Sequence, residues 1–278
     1  MKRMQGIVRE NEQNTIVGRC ALCLRENQSL RDSHFMSAGA LRRLRDRTQK
    51  NPNPYRMDDR GWIQDSRQTR DYLLCDDCED RFNEGGENWF LANCWQNSRF
   101  PIKSELLQSA PALAGERLKL YQAASIPQVD KAALPYFAAS EFWRASAHRW
   151  QGTRGITLGP YEEQLRQFLM NETPFPKDCA LWVSIAETTT PMTGLILSPY
   201  GERIGTCYFY KLVVLGVGFN LLVGQRIPPQ CREMCFVRGT GSPIFVTDML
   251  EAALLKDVER KHQAEPRLMA SLHRASPK

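Results

Sequence analysis

The chain has 278 residues, of which 42% are apolar and 9% aromatic, and its formal net charge is +6. This composition is typical of a folded globular protein and excludes a chain that is disordered throughout. The longest apolar run, residues 212–223, contains Asn220 and is too short to cross a hydrocarbon core about 30 Å thick, so we predict no association with a membrane.

The positive charge is concentrated at the beginning of the chain. Residues 1–50 carry eleven Lys and Arg against five Asp and Glu, whereas residues 51–100 carry six against ten. A basic surface of this kind suits a phosphate backbone, which makes nucleic acid the predicted partner. Many ordinary enzymes are equally basic, so a merely solvated surface is the alternative interpretation.

Cysteine usage and the start of the chain indicate where the protein works. No apolar segment follows Met1, and the nine cysteines are an odd number. Both features favour a reducing compartment over secretion, and we predict a cytoplasmic protein.

Two cysteine pairs, Cys20-Ala-Leu-Cys23 and Cys75-Asp-Asp-Cys78, stand 51 residues apart. Two residues between paired cysteines let both thiolates turn onto one ion, and two such pairs complete a structural four-sulfur zinc site. The first pair has the polar surroundings of a turn-like knuckle. The second opens a predicted helix over residues 75–83, whose dipole favours thiolates. A knuckle pair combined with a helix-start pair is typical of a treble-clef zinc finger. The alternative is four unrelated buried cysteines.

A second helix is predicted to begin at Ser33, which suits an N-cap. Phe35, Met36, Leu41 and Leu44 follow at helical spacings. The other face of this helix is basic and is either solvated or in contact with phosphates. The arginines on that face are Arg42, Arg43, Arg45 and Arg47.

The remainder of the first hundred residues is predicted as loop and broken helix. Residues 50–62 contain two Asn-Pro steps and are predicted to form a loop that lengthens the gap between the cysteine pairs. Gly85-Gly86 is predicted to interrupt the helix that begins at Cys75, with an aromatic helical segment resuming as far as about residue 95.

The middle of the chain is predicted to be helical. Residues 104–150 are predicted as two helices, of which residues 137–150 form the stronger, and residues 161–170 as a short amphipathic helix. His148 is interpreted as a packed or surface residue.

After residue 176 the residue pattern becomes typical of β-strands. An antiparallel meander is predicted, with turns at residues 199–202 and at Gly216. Cys231 and Cys235 are interpreted as strand residues. Residues 248–261 are predicted as a closing helix, followed by a basic tail. The predicted strands are residues 180–187, 194–198, 206–215, 217–223 and 233–238.

The pattern Cys20-x-x-Cys23, His34 and Cys75-x-x-Cys78 resembles the HNH endonuclease superfamily, whose zinc-bearing members place the catalytic histidine between two CxxC pairs. The Ser-His dipeptide and the glutamate after the second pair also resemble a bacterial HNH-like group. The resemblance covers residues 17–95. It implies a zinc ion that holds the scaffold and a second divalent ion that takes part in phosphodiester hydrolysis.

The resemblance also implies roles for individual residues. His34 matches the general base, and Glu79 stands where many of these nucleases have a metal-binding histidine. Asp32 and Asp71 are the nearest carboxylates for Mg²⁺ or Mn²⁺. The chain departs from the pattern at Ser33, where an acid usually precedes the base. His34 has two other interpretations: a hydrogen bond that steadies the zinc site, or a structural residue at the start of a helix.

The sequence therefore predicts an α+β protein in three segments. Residues 1–100 form a zinc treble clef, residues 101–172 a helical segment, and residues 173–278 an antiparallel sheet with a closing helix. Metal-dependent hydrolysis of nucleic acid is the first functional hypothesis. A non-catalytic module that binds nucleic acid, or a protein partner through the C-terminal sheet, is the second. The third hypothesis is a zinc site that only stabilises the fold.

Overall fold

A computed structural model describes residues 9–10, 16–45, 53, 55–58, 61–64, 68–94, 99–153, 155–187 and 195–248. These residues form a mixed α+β fold with two sheets. The helices are α1 (Ala38–Arg43), α2 (Asp76–Phe82), α3 (Asn88–Asn93), α4 (Pro101–Gln108), α5 (Ala133–Ala147), α6 (Tyr161–Leu169) and α7 (Pro229–Glu233). The strands are β1 (Arg9–Glu10), β2 (Ile16–Gly18), β3 (Gln28–His34), β4 (Tyr55–Asp58), β5 (Gly61–Gln64), β6 (Arg70–Cys75), β7 (Leu113–Ala114), β8 (Leu118–Gln122), β9 (Cys179–Ala186), β10 (Leu195–Ile204), β11 (Cys207–Val214), β12 (Val217–Val223) and β13 (Pro243–Thr247).

The smaller sheet has the order β1-β2-β3-β6. Strands β3 and β6 are antiparallel, and their register runs from Leu30 opposite Cys75 to His34 opposite Arg70. Helix α2 follows β6 directly, so the second cysteine pair lies where a strand becomes a helix.

The predicted helix start at Ser33 is wrong. Ser33 and His34 belong to β3, and α1 begins after Ser37, whose Oγ accepts a hydrogen bond from Ala40 N at 3.1 Å. Both serines are suitable N-caps. The backbone of Ser33 is instead held extended by its pairing with Asp71 on β6.

The larger sheet has the order β5-β4-β10-β11-β12-β9-β13-β8-β7. The run from β10 to β9 is antiparallel, but β13 joins β9 and β4 joins β10 in parallel. The C-terminal sheet is therefore present but mixed, because β13 reaches β9 through a crossover rather than a hairpin. Strands from all three predicted segments enter it, and the segment boundaries stay a prediction.

Two stretches predicted as loop or helix are strands of this sheet. The predicted loop at residues 50–62 contains β4 and the start of β5, which form an antiparallel hairpin. The first of the two helices predicted within residues 104–150 is partly replaced by β8, which pairs with β13. Each of these strands depends on a partner distant in sequence, so local propensity did not indicate them.

Three further predictions in the C-terminal half need correction. Residues 199–202 are not a turn, because β10 continues through them with an irregularity between Leu197 and Tyr200. Residues 233–238 are not a strand, since Glu233 is the last residue of α7 and Val237 makes only an isolated bridge to Leu181. Cys231 lies in α7. The predicted closing helix and basic tail fall, after Asp248, outside the described residues.

Helix α5 lies between the cysteine pairs and the larger sheet. It is buried from Ala133 to Ser146, as expected for a helix covered on all sides. Phe137 stacks on Phe90 of α3 with ring centroids 3.8 Å apart, and both rings contact Phe219 of β12. This aromatic cluster joins the cysteine-bearing region to the sheet.

The predicted interruption at Gly85-Gly86 is a change of helix type rather than a break in the helical chain. Residues Asn83–Glu87 form a π-helical turn that joins α2 to α3 without a break. A Cβ at Gly86 would lie 2.6 Å from Ala133 O and 2.7 Å from Phe137 N, so the glycine permits close approach of α5. Among the described residues, no helix has the length and apolarity needed to cross a bilayer.

Candidate metal centre

The first cysteine pair is held by a tight turn after β2. Leu24 N donates to Cys20 O and Cys20 N donates to Arg25 O, each at 3.0 Å. Leu24 adopts a φ of 61°, an unusual conformation for a leucine that lets the chain curl back behind Cys23. The turn therefore points both thiols towards the same space.

Hydrogen bonds with β6 and α6 hold the knuckle against the rest of the protein. Ala21 N donates to Leu73 O of β6 at 3.0 Å. From α6, Arg166 Nη1 donates to Leu22 O at 2.8 Å, and Arg166 is itself paired with Glu163 at 2.9 Å. A buried guanidinium thus fixes the backbone between the two cysteines.

The second pair lies at the junction of β6 and α2. Cys75 is the N-cap residue of α2, and Cys78 is buried in the first turn. The backbone N–H of Cys75 donates to Cys20 Sγ at 3.4 Å. An N–H aimed at sulfur stabilises a thiolate, as does the N-terminus of the helix.

The structure brings the two pairs together as the sequence predicts. The four Sγ atoms all lie within 4.8 Å of one another, and Cys23 Sγ is 3.9 Å from Cys75 Sγ. A tetrahedron with Zn–S bonds of about 2.3 Å has edges of about 3.8 Å, so the cluster fits a metal ion such as zinc. In the described part of the chain, no other set of three or more Cys, His, Asp and Glu side chains is close enough to hold one.

Arg25 is a feature of this centre that the sequence analysis missed. Its Nε donates to Cys23 Sγ at 3.3 Å, and its Nη2 donates to Asp77 Oδ2 at 2.6 Å. These contacts raise the pKa of the guanidinium, principally through the hydrogen bond to Cys23. A positive charge beside four thiolates offsets part of their mutual repulsion. An arginine two residues after the knuckle is the signal that could have indicated it.

The thiols differ in proton affinity before any metal is considered. The hydrogen bond with Cys78 lowers the pKa of Cys20 to about 4, and the same contact together with burial raises the pKa of Cys78. Metal binding requires every ligand to lose its proton, so it would release protons from this cluster.

His34 and Glu79 lie on neighbouring elements beside the cysteines. His34 is the last residue of β3 and is half-buried, which lowers the pKa of its imidazole. Glu79 lies on α2, where its carboxylate accepts a hydrogen bond from Ser33 Oγ. Ser33 Oγ also accepts from Leu74 N at 3.2 Å. Ser33 therefore links β3, β6 and α2.

The other candidate carboxylates already have partners. Asp32 is paired with Arg70 at 2.8 Å. Asp71 contacts His148 Nε2 at 2.8 Å. His148 was interpreted as a packed or surface residue, and the structure places it on Asp71, which faces Ser33 across the β3–β6 ladder. Nothing in the sequence linked these residues, since the contact spans 77 positions.

A buried charged network lies behind the segment that carries His34. Ser37 N donates to Glu141 at 3.2 Å, and Ser37 Oγ donates to Glu87 at 2.7 Å. Arg144 lies 3.6 Å from Glu87 and 3.8 Å from Glu141, and its Nη1 donates to His34 O at 3.5 Å. The sequence did not indicate this network. Charged residues three positions apart in an otherwise apolar helix were the available signal.

The proposed phosphate-binding arginines are only partly described. Arg42, Arg43 and Arg45 are exposed around the end of α1, and Arg47 lies outside the described residues. Arg43 Nη1 donates to Leu91 O. A role in binding phosphate stays a prediction for all four.

Comparisons with known proteins give no family or fold neighbour: no family model, no characterised protein and no solved structure matches the chain. A function for this protein therefore has to be inferred from the residues of the site.

Proposed function

We propose that this chain is a zinc-stabilised, HNH-like protein that acts on nucleic acid by metal-dependent phosphodiester hydrolysis. The observation that carries the proposal is the order of elements at the centre. A knuckle with one cysteine pair precedes the antiparallel strand pair β3–β6, the second cysteine pair follows at the start of α2, and His34 ends β3. This order is the one expected of a treble clef in the HNH superfamily.

Zinc has a scaffolding role in this proposal. Cys20, Cys23, Cys75 and Cys78 would hold it with four sulfur ligands, a closed set that leaves no position for water or substrate. The ion would join the knuckle to the strand–helix junction and so fix the β3–β6 strand pair that presents His34.

His34 is the proposed general base. Burial keeps its pKa below the ordinary value of 6.5, so the imidazole is uncharged at neutral pH and can accept a proton. It would take that proton from a water whose oxygen bonds to phosphorus while the bond to the leaving oxygen breaks. Arg144 would hold the backbone of His34 in place through the carbonyl contact.

Mg²⁺ or Mn²⁺ would supply charge neutralisation at the phosphate, and Glu79 and Asp32 are the side chains proposed to bind it. Glu79 accepts a hydrogen bond from Ser33, and Asp32 is paired with Arg70. Both carboxylates would have to exchange these partners for the ion. The basic end of α1, with Arg42, is proposed to contact the phosphate backbone.

Glu79 and Asp32 already have side-chain partners, and this favours a second candidate function. In it the same scaffold binds nucleic acid without cutting, Asp32 remains paired with Arg70, and Glu79 remains a structural link to β3. His34 would then serve only as the last residue of β3, paired with Arg70 of β6.

Cleavage of supercoiled plasmid and of single-stranded RNA, with Mg²⁺ or Mn²⁺ and with EDTA, separates the two candidates. Wild type would be compared with His34→Gln, which keeps a polar side chain but removes the base. Ser29→Ala, an exposed change on the same strand, is the matched control. Metal-dependent cutting that is lost only in His34→Gln supports hydrolysis. Binding without cutting by zinc-loaded wild type supports the second candidate.

A further inference from the structure

A second site lies away from the cysteines, where the β10–β11 hairpin meets the loop that follows α5. A cavity of about 400 Å³ opens there. Thr153 and Thr157 line it from the loop, and Gly201, Arg203 and Tyr208 line it from the strands. None of these residues belongs to the proposed metal centre.

The strand register explains why an aromatic ring faces this cavity. Gly201 pairs with Tyr210 and Arg203 pairs with Tyr208, so these four residues share one face of the sheet. On that face Leu212 and Tyr210 are buried in the core, with 0% and 3% exposure, whereas Tyr208 is 46% exposed. This face therefore continues beyond the core with the pair Arg203–Tyr208, which places the ring of Tyr208 at the cavity.

The inner wall of the cavity is fixed in position. A Cβ at Gly201 would lie 2.4 Å from two carbons of the Tyr210 ring, so the glycine lets that ring lie flat across β10. Tyr210 OH donates to Thr157 O at 2.6 Å, which ties the strand to the loop. The rings of Tyr208 and Tyr210 are inclined by only 13°, with centroids 6.3 Å apart. Tyr208 thus presents an oriented ring to solvent.

We propose that this cavity binds an unpaired nucleobase of single-stranded nucleic acid, with Tyr208 as the stacking surface and Arg203 as the contact to the adjacent phosphate. This inference rests on the proposed action on nucleic acid and names a single strand as the substrate class. Exposed aromatic rings beside arginines are the usual means of holding unstacked bases. Glu202, an acid that lines the cavity, is paired with Lys211 at 2.7 Å, so its charge is offset and does not oppose a phosphate.

The cavity lies within reach of the proposed catalytic centre. Thr153 is five residues after His148, and five residues of chain span at most about 18 Å. His148 contacts Asp71, which faces Ser33 beside His34. A strand of a few nucleotides could therefore occupy both places, with one base in the cavity and a phosphodiester near His34.

Fluorescence anisotropy of a labelled pyrimidine single strand tests the proposal on the full chain loaded with zinc. The variants are Tyr208→Ala, Tyr208→Phe and Arg203→Ala, and the matched control is Leu113→Ala, which removes another exposed side chain on the distant strand β7. Loss of one stacked base is expected to weaken binding by Tyr208→Ala about tenfold or more. Tyr208→Phe and Leu113→Ala should bind like wild type, and Arg203→Ala should lower the salt dependence of binding.

The outcomes separate failure of this site from failure of the proposed function. Wild-type affinity in Tyr208→Ala, or an equal loss in Tyr208→Phe, overturns the stacking site while leaving nucleic-acid binding intact. If wild type does not bind the strand, the proposed function is overturned, and titration with uridine monophosphate decides the site. Saturable binding that Tyr208→Ala abolishes would retain a nucleobase site for free nucleotides, and absence of binding would overturn the site as well.

Discussion

The cysteine unit (residues 16–45 and 68–94) and the nine-stranded sheet are held together by different interactions. The charged side chains that are buried in the described part of the chain all contact the cysteine unit or belong to it. They are Glu87, Glu141, Arg144 and Arg166. Among the sheet residues whose side chains are described, the buried polar ones carry only hydroxyls, on Ser184, Ser198 and Thr247.

The difference follows from what each region can bury. The sheet packs Val, Leu, Ile and Phe side chains against α5, and apolar burial of about 25 cal/mol per Å² is sufficient to hold it. The cysteine unit is small, and small units bury too little apolar surface to be stable without metals or other cross-links. Its stability is therefore expected to depend on a few specific atoms, whereas the sheet should tolerate changes that preserve volume.

Removal of one sulfur ligand is the largest expected effect. Structural zinc contributes on the order of 10 kcal/mol to folding, so Cys75→Ser should abolish zinc binding and unfold the cysteine unit. Serine can still cap α2, which isolates the loss of the metal ligand. Zinc content by mass spectrometry and the thermal melting temperature are the measurements.

Cys179→Ser is the matched change in the sheet, where Cys179 is fully buried in β9. It buries a hydroxyl without removing a ligand, so a loss of about 1–3 kcal/mol with unchanged zinc content is expected. Full zinc content and wild-type melting in Cys75→Ser would refute the metal-centred account of the cysteine unit.

Removing the buried guanidinium of Arg144 is expected to have the next largest effect on folding stability. Arg144→Met leaves Glu87 and Glu141 buried without their positive partner, and such an uncompensated charge costs about 3–5 kcal/mol. Urea denaturation measures the loss. Leu221→Met, a volume-conserving change on β12, should cost less than about 1.5 kcal/mol. Equal losses in the two variants would remove the distinction between the regions.

The pH dependence of stability should reveal the same network. Burial raises the pKa of Glu141 from its ordinary 4.5 to about 7. Between these values the folded protein binds the proton more tightly than the unfolded chain, so this carboxyl makes stability fall as pH rises, by about 3 kcal/mol in all. Glu141→Gln should flatten that slope, measured as unfolding free energy against pH. Glu26→Gln, which changes an exposed glutamate, is the control variant.

The features that could be predicted correctly from the sequence depend on interactions between residues that are close together in the chain. Two residues between Cys20 and Cys23, or between Cys75 and Cys78, are enough to direct both thiols to one point. Helices α5 and α6 could be predicted because each has its own apolar pattern over successive turns.

The features that sequence did not indicate depend on distant partners. Strand β3 reads Gln-Ser-Leu-Arg-Asp-Ser-His and has little apolar alternation, so its pairing with β6, some forty residues away, decides its conformation. The contact of His148 with Asp71 and the network around Arg144 join elements more than fifty residues apart. These residues surround His34, which is why the surroundings of the candidate base could not be predicted.

The smallest effect tests the glycine pair that was interpreted as a helix break. Gly86→Ala should destabilise the protein by about 1–3 kcal/mol, because the new Cβ would meet the backbone of α5 at 2.6–2.7 Å and neither helix can yield easily. Gly115→Ala is the matched control, since its nearest atom would be Leu118 O at 3.4 Å and its effect should be close to zero. Chemical denaturation of both variants gives the comparison. If Gly86→Ala were instead stabilising, as expected for a glycine in an unobstructed helix, the close packing of the π-helical turn on α5 would be wrong. The packing of the cysteine unit against α5 would then have to be explained by other contacts.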